Sequence, residues 1–135
     1  MNQTLHILLG AIGIAIFMFT SGCASIGQKS PSQVVVAAYM AANEGKYSEA
    51  EKYMSSEIIN AVKGGEGMFA GGWKGSWDKI TRNGTIQKIE ILYGDAGGRF
   101  GAEVYFRIHF KDGKTKDDTE YLMKEGGQWK IIFSP

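Results

Sequence analysis

Hydrophobic and polar side chains alternate along residues 100–110. The apolar row is Phe100, Ala102, Val104, Phe106, Ile108 and Phe110, and the other row is Gly101, Glu103, Tyr105, Arg107 and His109. Successive side chains of a strand point to opposite faces, so this pattern predicts a strand with one apolar face and one polar face. The other predicted elements are arranged around this strand.

The C-terminal half is predicted to form a four-stranded antiparallel meander. A first strand covers residues 85–93, with a bulge near Gln87 and Lys88 that brings Ile86 onto the apolar face. Residues 94–99 turn the chain into the alternating strand. Asp112-Gly113 and Gly126-Gly127 each predict a two-residue hairpin, followed by strands over residues 114–125 and 128–133.

The lengths of these two turns predict the register of the sheet. A two-residue turn at Asp112-Gly113 places Arg107 opposite Asp118 and Tyr105 opposite Glu120, all on one face. A two-residue turn at Gly126-Gly127 pairs the last two strands, and its pairs are Tyr121 with Ile132 and Leu122 with Ile131. The face with Arg107 is then mixed, because it also receives Leu122, Trp129, Ile131 and Phe133.

The region before the sheet is predicted to be helical. Ser30, Pro31 and Gln33 have the pattern of a capping box with proline at the first helical position, and Gly45 follows the last residues of this helix. A second capping box, from Ser48 to Glu51, predicts a short helix through about Met54. Ser55 or Ser56 is predicted to cap a third helix that runs to Val62.

Residues 64–75 are rich in glycine, with Met68, Phe69 and Trp73 among the glycines. They lack the Gly-Lys-Ser/Thr ending of a phosphate-binding loop. We interpret the segment as a connection whose apolar side chains dock on the core, and a mobile flap over a pocket is the alternative. Trp73, Trp77 and Ile80 recur at helical spacing, which predicts one or two helical turns before Gly84 with the tryptophans in the core.

This order of elements resembles the nuclear transport factor 2-like (cystatin-like) superfamily. The resemblance lies in residues 32–50 and in the closing segment Tyr121-Leu122-Met123-Lys124-Glu125-Gly126-Gly127-Gln128-Trp129-Lys130-Ile131. It implies an α+β fold, with N-terminal helices packed on a curved four-stranded antiparallel meander in the shape of a cone. Within the superfamily, the chain is similar to small bacterial lipoproteins that carry a domain of unknown function.

The first residues have the composition of a secretory signal. Residues 5–19 are almost wholly apolar and Cys23, the chain's single cysteine, follows Ser21 and Gly22. This ending resembles the lipobox of bacterial lipoproteins, which implies cleavage before Cys23 and its acylation, with palmitate as a typical fatty acid. An uncleaved membrane anchor with a chance cysteine is the alternative, because Thr20 stands where lipoboxes usually carry leucine.

The resulting domain plan is a signal peptide over residues 1–22, a lipidated tether over residues 23–29 and one α+β domain over residues 30–135. The expected location is the cell envelope, with the lipid as the attachment to the membrane. Ala24 stands where an aspartate tends to retain lipoproteins in the inner membrane, so the outer membrane facing the periplasm is expected if the organism is Gram-negative.

Composition narrows the functional classes. The formal net charge of +1 gives no electrostatic reason to expect nucleic acid as a partner. No His, Cys or acidic residues have convincing metal-ligand spacing, and we expect no metal and no other cofactor. Asp117, Asp118 and Glu120 are interpreted as a solvated strand edge and not as a calcium site.

Four residues are the candidate ligand-binding set: Tyr105, Arg107, Asp118 and Glu120. In enzymes of the resembled fold, an Asp or an Asp-His pair works with a Tyr inside the cone, and here Arg107 could hold an anion while Tyr105 donates a hydrogen bond. The same residues are also explained as ordinary cross-strand pairs. No catalytic residue is assigned.

Three hypotheses follow for the function. The first is a non-enzymatic binding or accessory module in the cell envelope, whose partner is a small molecule, a peptide or another envelope protein. The second is a small isomerase- or hydrolase-like enzyme with its site in the cone. An enclosed cavity with two or more convergent titratable groups would favour the enzyme, and a cone filled by Phe, Met and Trp would exclude it. The third is a purely scaffolding role, which an exposed apolar patch on the face with Arg107 and no cavity would favour.

Overall fold

The structure is a computed structural model that describes residues 27–82, 84–98 and 101–134, and of residues 95–98 only the backbone. The predicted signal peptide, Cys23 and Phe100 lie outside the described residues. Along these described residues the elements are three helices, one 3₁₀ turn, a fourth helix and then four strands.

Helix α1, Pro31–Asn43, begins at the predicted capping box. The Ser30 hydroxyl accepts a hydrogen bond from the Gln33 N–H at 3.3 Å, and Gln33 Oε1 accepts one from the Ser30 N–H at 2.9 Å. Gly45 follows with φ of 74°, a conformation that glycine adopts at little cost. The predicted start and end of this helix are both confirmed. Each depends on residues directly beside it, which is why the local sequence was sufficient to predict them.

The next two helices agree only in part with the prediction. Helix α2, Tyr47–Glu51, begins after Lys46 with no side-chain cap, so the capping box predicted from Ser48 to Glu51 is wrong. Helix α3, Ser56–Gly64, has Ser55 as its cap, which decides between the two serines proposed. Ser55 is buried, and its hydroxyl satisfies the N–H of Ile58 at 3.3 Å.

The glycine-rich segment is more ordered than a plain connection. A 3₁₀ turn, Gly67–Phe69, is followed by helix α4, Gly72–Ile80. Trp77 on α4 is 5% exposed, which confirms the expectation of a core residue, and Trp73 is partly buried beside the core. The ring centroid of Phe69 lies 5.6 Å from that of Phe133, so Phe69 docks on the core as expected, whereas Met68 is 66% exposed and does not.

The four strands form a single antiparallel sheet in the order β1-β2-β3-β4, which confirms the predicted meander. Their bounds are β1, Ile86–Gly98; β2, Gly101–Phe110; β3, Thr115–Glu125; and β4, Gln128–Ile132. A register shift between Ile86 and Lys88 confirms the predicted bulge. Strand β1 runs on to Gly98, so the turn predicted over residues 94–99 is wrong for its first part.

The register between β2 and β3 differs from the prediction by one residue. Arg107 pairs with Asp117 and Tyr105 pairs with Thr119, where Asp118 and Glu120 were expected. The cause is the turn, because Phe110 and Lys114 close a three-residue loop in which Gly113 has φ of 87°. A slip of one residue moves every side chain of a strand to the other face.

The register between β3 and β4 is the predicted one. Tyr121 pairs with Ile132 and Leu122 pairs with Ile131. Because β3 is shifted relative to β2, however, Leu122 and Ile131 are buried on the helix-facing side and not on the face with Arg107. The predicted mixed face is therefore wrong in its apolar part.

The core lies between the helix-facing side of the sheet and helix α1. Among the largest fully buried side chains are Tyr39 from α1 with Phe106, Ile108 and Phe110 from β2. Tyr39 meets Phe106 edge to face, with ring centroids 5.0 Å apart, and it meets Trp77 in the same way at 4.9 Å. These aromatic rings fill the centre of the cone.

A short edge pairing closes the sheet beyond β4. The Ser55 N–H donates to the Ile131 carbonyl and the Ile131 N–H donates to the Tyr53 carbonyl, each at 2.8 Å. Met54 thus forms a parallel bridge with Ile131. The sequence pattern had assigned this stretch to the end of a helix, and the pairing places helices α2 and α3 beside β4.

Candidate functional site

The outer face of the sheet, away from the helices, carries the first polar cluster. Arg107 Nε donates to Asp117 Oδ1 at 2.6 Å, and Arg107 Nη2 donates to Asp117 Oδ2 at 2.9 Å. The Tyr105 hydroxyl donates to the same Oδ2 at 3.0 Å. Asp117 therefore takes the place that the sequence prediction gave to Asp118 and Glu120.

The hydrogen bonds of this outer cluster keep Asp117 and Arg107 charged and keep the Tyr105 hydroxyl protonated. Hydrogen bonding to Arg107, with a further bond from Tyr105, lowers the pKa of Asp117. The hydrogen bond to Asp117 raises the pKa of Tyr105 and that of Arg107. A bidentate guanidinium and a carboxylate satisfy one another, so an incoming anion would have to compete with Asp117 for Arg107.

Next to this cluster, His109 and Glu90 pair across β1 and β2. His109 Nε2 lies 2.6 Å from Glu90 Oε2, and this contact lowers the pKa of Glu90. Both side chains are on the outer face. Among the described residues no serine hydroxyl bonds to the His109 imidazole, so the pair does not activate a serine nucleophile there. The pair forms one row of polar side chains with Arg107 and Asp117.

The helix-facing side of the sheet carries the second polar cluster. Tyr39 on α1 donates its hydroxyl proton to Glu120 Oε1 at 2.6 Å. Beside Glu120 on the same face of β3, Lys116 Nζ donates to Asp118 Oδ2 at 3.0 Å. Asp118 and Glu120 are therefore brought together, but on the side of the sheet opposite to Tyr105 and Arg107.

Burial dominates the electrostatics of the Tyr39 and Glu120 pair. It raises the pKa of Glu120 to about 7, and the negative charge of Asp118 acts in the same direction. The hydrogen bond from Tyr39 opposes this increase because it stabilises the carboxylate. Burial, followed by the charge of Glu120, raises the pKa of Tyr39 well above its ordinary value.

This arrangement has the proton chemistry of a general acid or base. A carboxyl group with a pKa near neutrality exchanges protons readily at physiological pH. Glu120 itself is partly buried, and its partner Tyr39 is enclosed by the core, since Tyr39 is 1% exposed and the Phe106 ring against it is 0% exposed. The indole N–H of Trp77, which packs on Tyr39, is buried and has no hydrogen-bond partner among the described residues.

Two open clefts lie at other places on the surface. One, of about 220 Å³, lies where the described chain begins, between Lys29, Lys52, Tyr53 and Trp129. The other, of about 370 Å³, lies between the end of α1 and the end of α4, and its lining includes Asn43, Trp77, Asp78 and Arg82. Asn43 is occupied there, because its amide exchanges two hydrogen bonds with the backbone of Ile86.

The described part of the chain contains no cluster of metal-ligating side chains and no helix able to cross a membrane. No three His, Cys, Asp or Glu side chains in it lie close enough together to hold a metal ion. None of its helices is both long enough and apolar enough to cross a membrane.

Comparison with known proteins places the chain in a family. The profile of the DUF4878 family, described as a domain of unknown function, matches residues 23–132. This chain belongs to the DUF4878 family. No curated protein matches it.

A solved structure supports the fold of this DUF4878 domain. A Campylobacter jejuni protein described as an NTF2-like transpeptidase superposes with a TM-score of 0.58. The match covers 78% of this chain and 100% of the other at 14% sequence identity, so it shows the fold alone. The DUF4878 domain thus has the nuclear transport factor 2-like α+β architecture that the sequence predicted.

The pairing of Tyr39 with Glu120 was missed by the sequence analysis, although a signal for it was present. In the predicted register, Leu122 and Ile131 fell on the same face as Arg107, apart from the apolar row of β2. Lengthening the turn at Asp112-Gly113 by one residue would have placed them on the apolar face and turned Glu120 inward. The signal was therefore that the two-residue turn puts the apolar residues of β3 and β4 on the opposite face from those of β2, whereas a three-residue turn puts them on the same face.

Proposed function

We propose that this DUF4878 domain is a lipid-anchored, non-enzymatic binding module of the cell envelope. The anchor is a lipid on Cys23, after cleavage of the signal peptide. The observation that supports a binding role is the filled cone, in which Tyr39, Phe106 and Trp77 occupy the centre. A cone whose centre is packed with aromatic rings leaves the surface as the place where a partner is recognised.

The outer face of the sheet is the proposed recognition surface. Large side chains are exposed there, with Tyr93 at 56%, Tyr105 at 39% and Met123 at 48%. Tyr93 and Tyr105 are opposite one another on β1 and β2, and Arg107 lies next along β2. Exposed aromatic and apolar side chains with arginine beside them are typical of binding surfaces. We propose another envelope protein as the partner.

Site-directed photocrosslinking in intact cells tests this surface. A photoreactive phenylalanine analogue at position 105 is compared with the same analogue at position 57, an exposed position on α3. We expect a discrete crosslinked species at position 105 only, and its loss when Arg107→Glu is added. Equal crosslinking at the two positions would contradict the outer face as the site of recognition.

Cys23→Ser tests the anchor separately. We expect the intact mass of the membrane-bound chain to include acyl groups in the wild type and to lack them in Cys23→Ser, with the variant lost from the membrane fraction or retained only as the uncleaved precursor. An unmodified Cys23 in the wild type would contradict the lipoprotein proposal, whatever the result of crosslinking.

A second candidate function is an enzyme that uses Glu120 and Tyr39. The observation in its favour is the pKa of about 7 for a carboxyl group that accepts a hydrogen bond from a buried tyrosine. The Campylobacter jejuni protein is described as a transpeptidase, an enzyme that transfers acyl groups. That activity needs an activated nucleophile, and the hydrogen-bonded pair of Tyr39 and Glu120 does not supply one. An activity that Glu120→Gln abolishes in a folded protein would favour the enzyme.

A further inference from the structure

The described chain begins against the turn between β3 and β4. Gln28 Nε2 donates a hydrogen bond to the carbonyl of Gly127, which is a residue of that turn. Gly27, Gln28 and Lys29 line the smaller cleft together with Gln128 and Trp129. Gly27, the first described residue, therefore lies at one defined end of the sheet.

This end of the sheet is necessarily close to any lipid on Cys23. Gly27 is the fourth residue after Cys23 in the sequence. An extended chain covers at most about 3.5 Å per residue, so the two lie within about 14 Å of each other. The opposite end of the sheet, at the turn that contains Lys111 and Gly113, lies at the far end of strand β3.

Four lysines surround Trp129 at the end of the sheet where Gly27 lies. Lys29 and Lys52 line the cleft with it, and Lys130 reaches back to donate to the carbonyl of Lys52. The Lys124 ammonium lies 5.4 Å from the centre of the indole ring. Trp129 itself is partly buried, so part of its ring reaches the surface between these cations.

The carboxylates near this end neutralise only part of the positive charge. Glu49 lies 3.7 Å from Lys52, and Glu125 is held by the N–H and hydroxyl of Ser56. Lys29, Lys124 and Lys130 have no ion-pair partner among the residues that the structure describes. This end of the domain therefore has an excess of positive charge although the whole chain is almost neutral.

We infer that this end of the domain, the lysine-tryptophan end, binds the anionic phospholipid headgroups of the bilayer in which the chain is anchored. The inference rests on the proposed anchor at Cys23, which brings the surface to the membrane. Lysine side chains near an anionic surface each strengthen binding about fivefold, and tryptophan prefers the interface between headgroups and acyl chains. The domain then stands on the membrane with β3 and β4 pointing away from it and the outer face open to partners.

The experiment uses the full chain reconstituted in lipid vesicles. Vesicles of phosphatidylcholine with phosphatidylglycerol are compared with phosphatidylcholine alone, each with a fraction of lipid brominated near the headgroup. Bromine quenches tryptophan fluorescence only at short range. We expect strong quenching in the anionic vesicles, its loss in Trp129→Phe, and weaker quenching in phosphatidylcholine alone.

A matched pair of charge variants tests the role of the lysines. Lys124→Gln with Lys130→Gln removes two positive charges at the lysine-tryptophan end, and Lys111→Gln with Lys114→Gln removes two at the opposite end of the sheet. We expect the first pair to reduce quenching in anionic vesicles to the level in phosphatidylcholine, as high salt does, and the second pair to leave it unchanged. Equal effects of the two pairs, or quenching that Trp129→Phe does not alter, would overturn the inference.

The intact mass of the reconstituted chain separates this inference from the proposed function. If Cys23 is acylated but Trp129 is not quenched, the inference that the lysine-tryptophan end binds headgroups is overturned, and the proposed anchor stands. If Cys23 is not acylated, the uncleaved chain keeps its apolar residues 5–19, which hold it in the vesicle, and the quenching still decides whether this end meets the lipid.

Discussion

The hydroxyl of Tyr39 on helix α1 and the carboxyl group of Glu120 on strand β3 form a 2.6 Å hydrogen bond across the core. Tyr39 also packs edge to face on Phe106 and Trp77. A titratable carboxyl group is thus fixed against the aromatic centre of the domain, and its protonation is linked to the stability of the fold.

The stability of the domain is expected to fall as the pH rises from about 4.5 toward neutrality. Burial raises the pKa of Glu120 from 4.5 to about 7, so the folded protein holds a proton that the unfolded chain has lost over this range. The associated stability is fully present below about pH 4.5 and is lost between there and about pH 7. At 1.36 kcal/mol per pH unit the loss is at most about 3 kcal/mol, measured as the free energy of unfolding in urea at several pH values.

Glu120→Gln should remove most of this pH dependence. The amide oxygen keeps an acceptor for Tyr39 without a negative charge at high pH, so we expect the variant to be more stable than the wild type at pH 8. Glu57→Gln, at an exposed position on α3, is the matched control and should leave the slope unchanged. An unchanged slope in Glu120→Gln would show that another group is responsible.

Tyr39→Phe is expected to shift the same titration upward. The hydrogen bond from Tyr39 stabilises the Glu120 carboxylate, so its removal raises the pKa of Glu120 further. The loss of stability should then still begin near pH 4.5 but continue to a higher pH than in the wild type. NMR titration of the Glu120 carboxyl carbon measures the pKa directly, and a downward shift would contradict the assigned hydrogen bond.

Trp77 offers a test of the buried indole N–H. Trp77→Ala should cost about 3–5 kcal/mol of stability because it opens a cavity beside Tyr39. Trp77→Phe should cost clearly less, since it keeps a ring against Tyr39 and removes a donor that has no partner in the described structure, a defect of about 1–3 kcal/mol. Equal losses for both variants would indicate that the N–H is satisfied in solution. The measurement is thermal or urea unfolding.

Substitutions at Gly101 and Gly94 test how closely the backbone of β2 approaches that of β3, with Gly94 as the control. Gly101 has φ of 128°, and a β-carbon there would overlap the carbonyl oxygen of Leu122. Gly101→Ala should therefore lose about 1–3 kcal/mol or more. A β-carbon at Gly94 meets only the hydroxyl of Ser32, a flexible group that can rotate away, so Gly94→Ala should lose less. The opposite order in urea unfolding would contradict the described approach of β2 and β3.

The register of β2 and β3 can be tested by double-mutant cycles. Arg107→Ala and Asp117→Ala should show a favourable coupling that salt weakens, because the two side chains form a bidentate pair on the surface. Arg107→Ala and Asp118→Ala should show none, since Asp118 lies on the other side of the sheet beside Lys116. Coupling to Asp118 in place of Asp117 would support the register with the two-residue turn.

The sequence by itself determined the elements whose signals are local. The capping residues around Pro31–Asn43 and the alternating side chains of Gly101–Phe110 act within a few residues, and both elements form as predicted. The meander order also followed, because short turns join neighbouring antiparallel strands. The capping pattern at Ser48 did not form its predicted cap, and Tyr53 and Met54 instead pair with β4.

Only the tertiary structure decided which side chains form the candidate site. The three-residue turn before Lys114 pairs Arg107 with Asp117 and turns Glu120 toward Tyr39, which lies 81 residues earlier in the chain. The length of the turn is decided by the register that puts the apolar residues of all four strands on the same face, toward the core. The sequence of any one strand does not contain that information. The alternation therefore predicted that two faces exist, and the packing of the sheet on helix α1 determined which residues each face received.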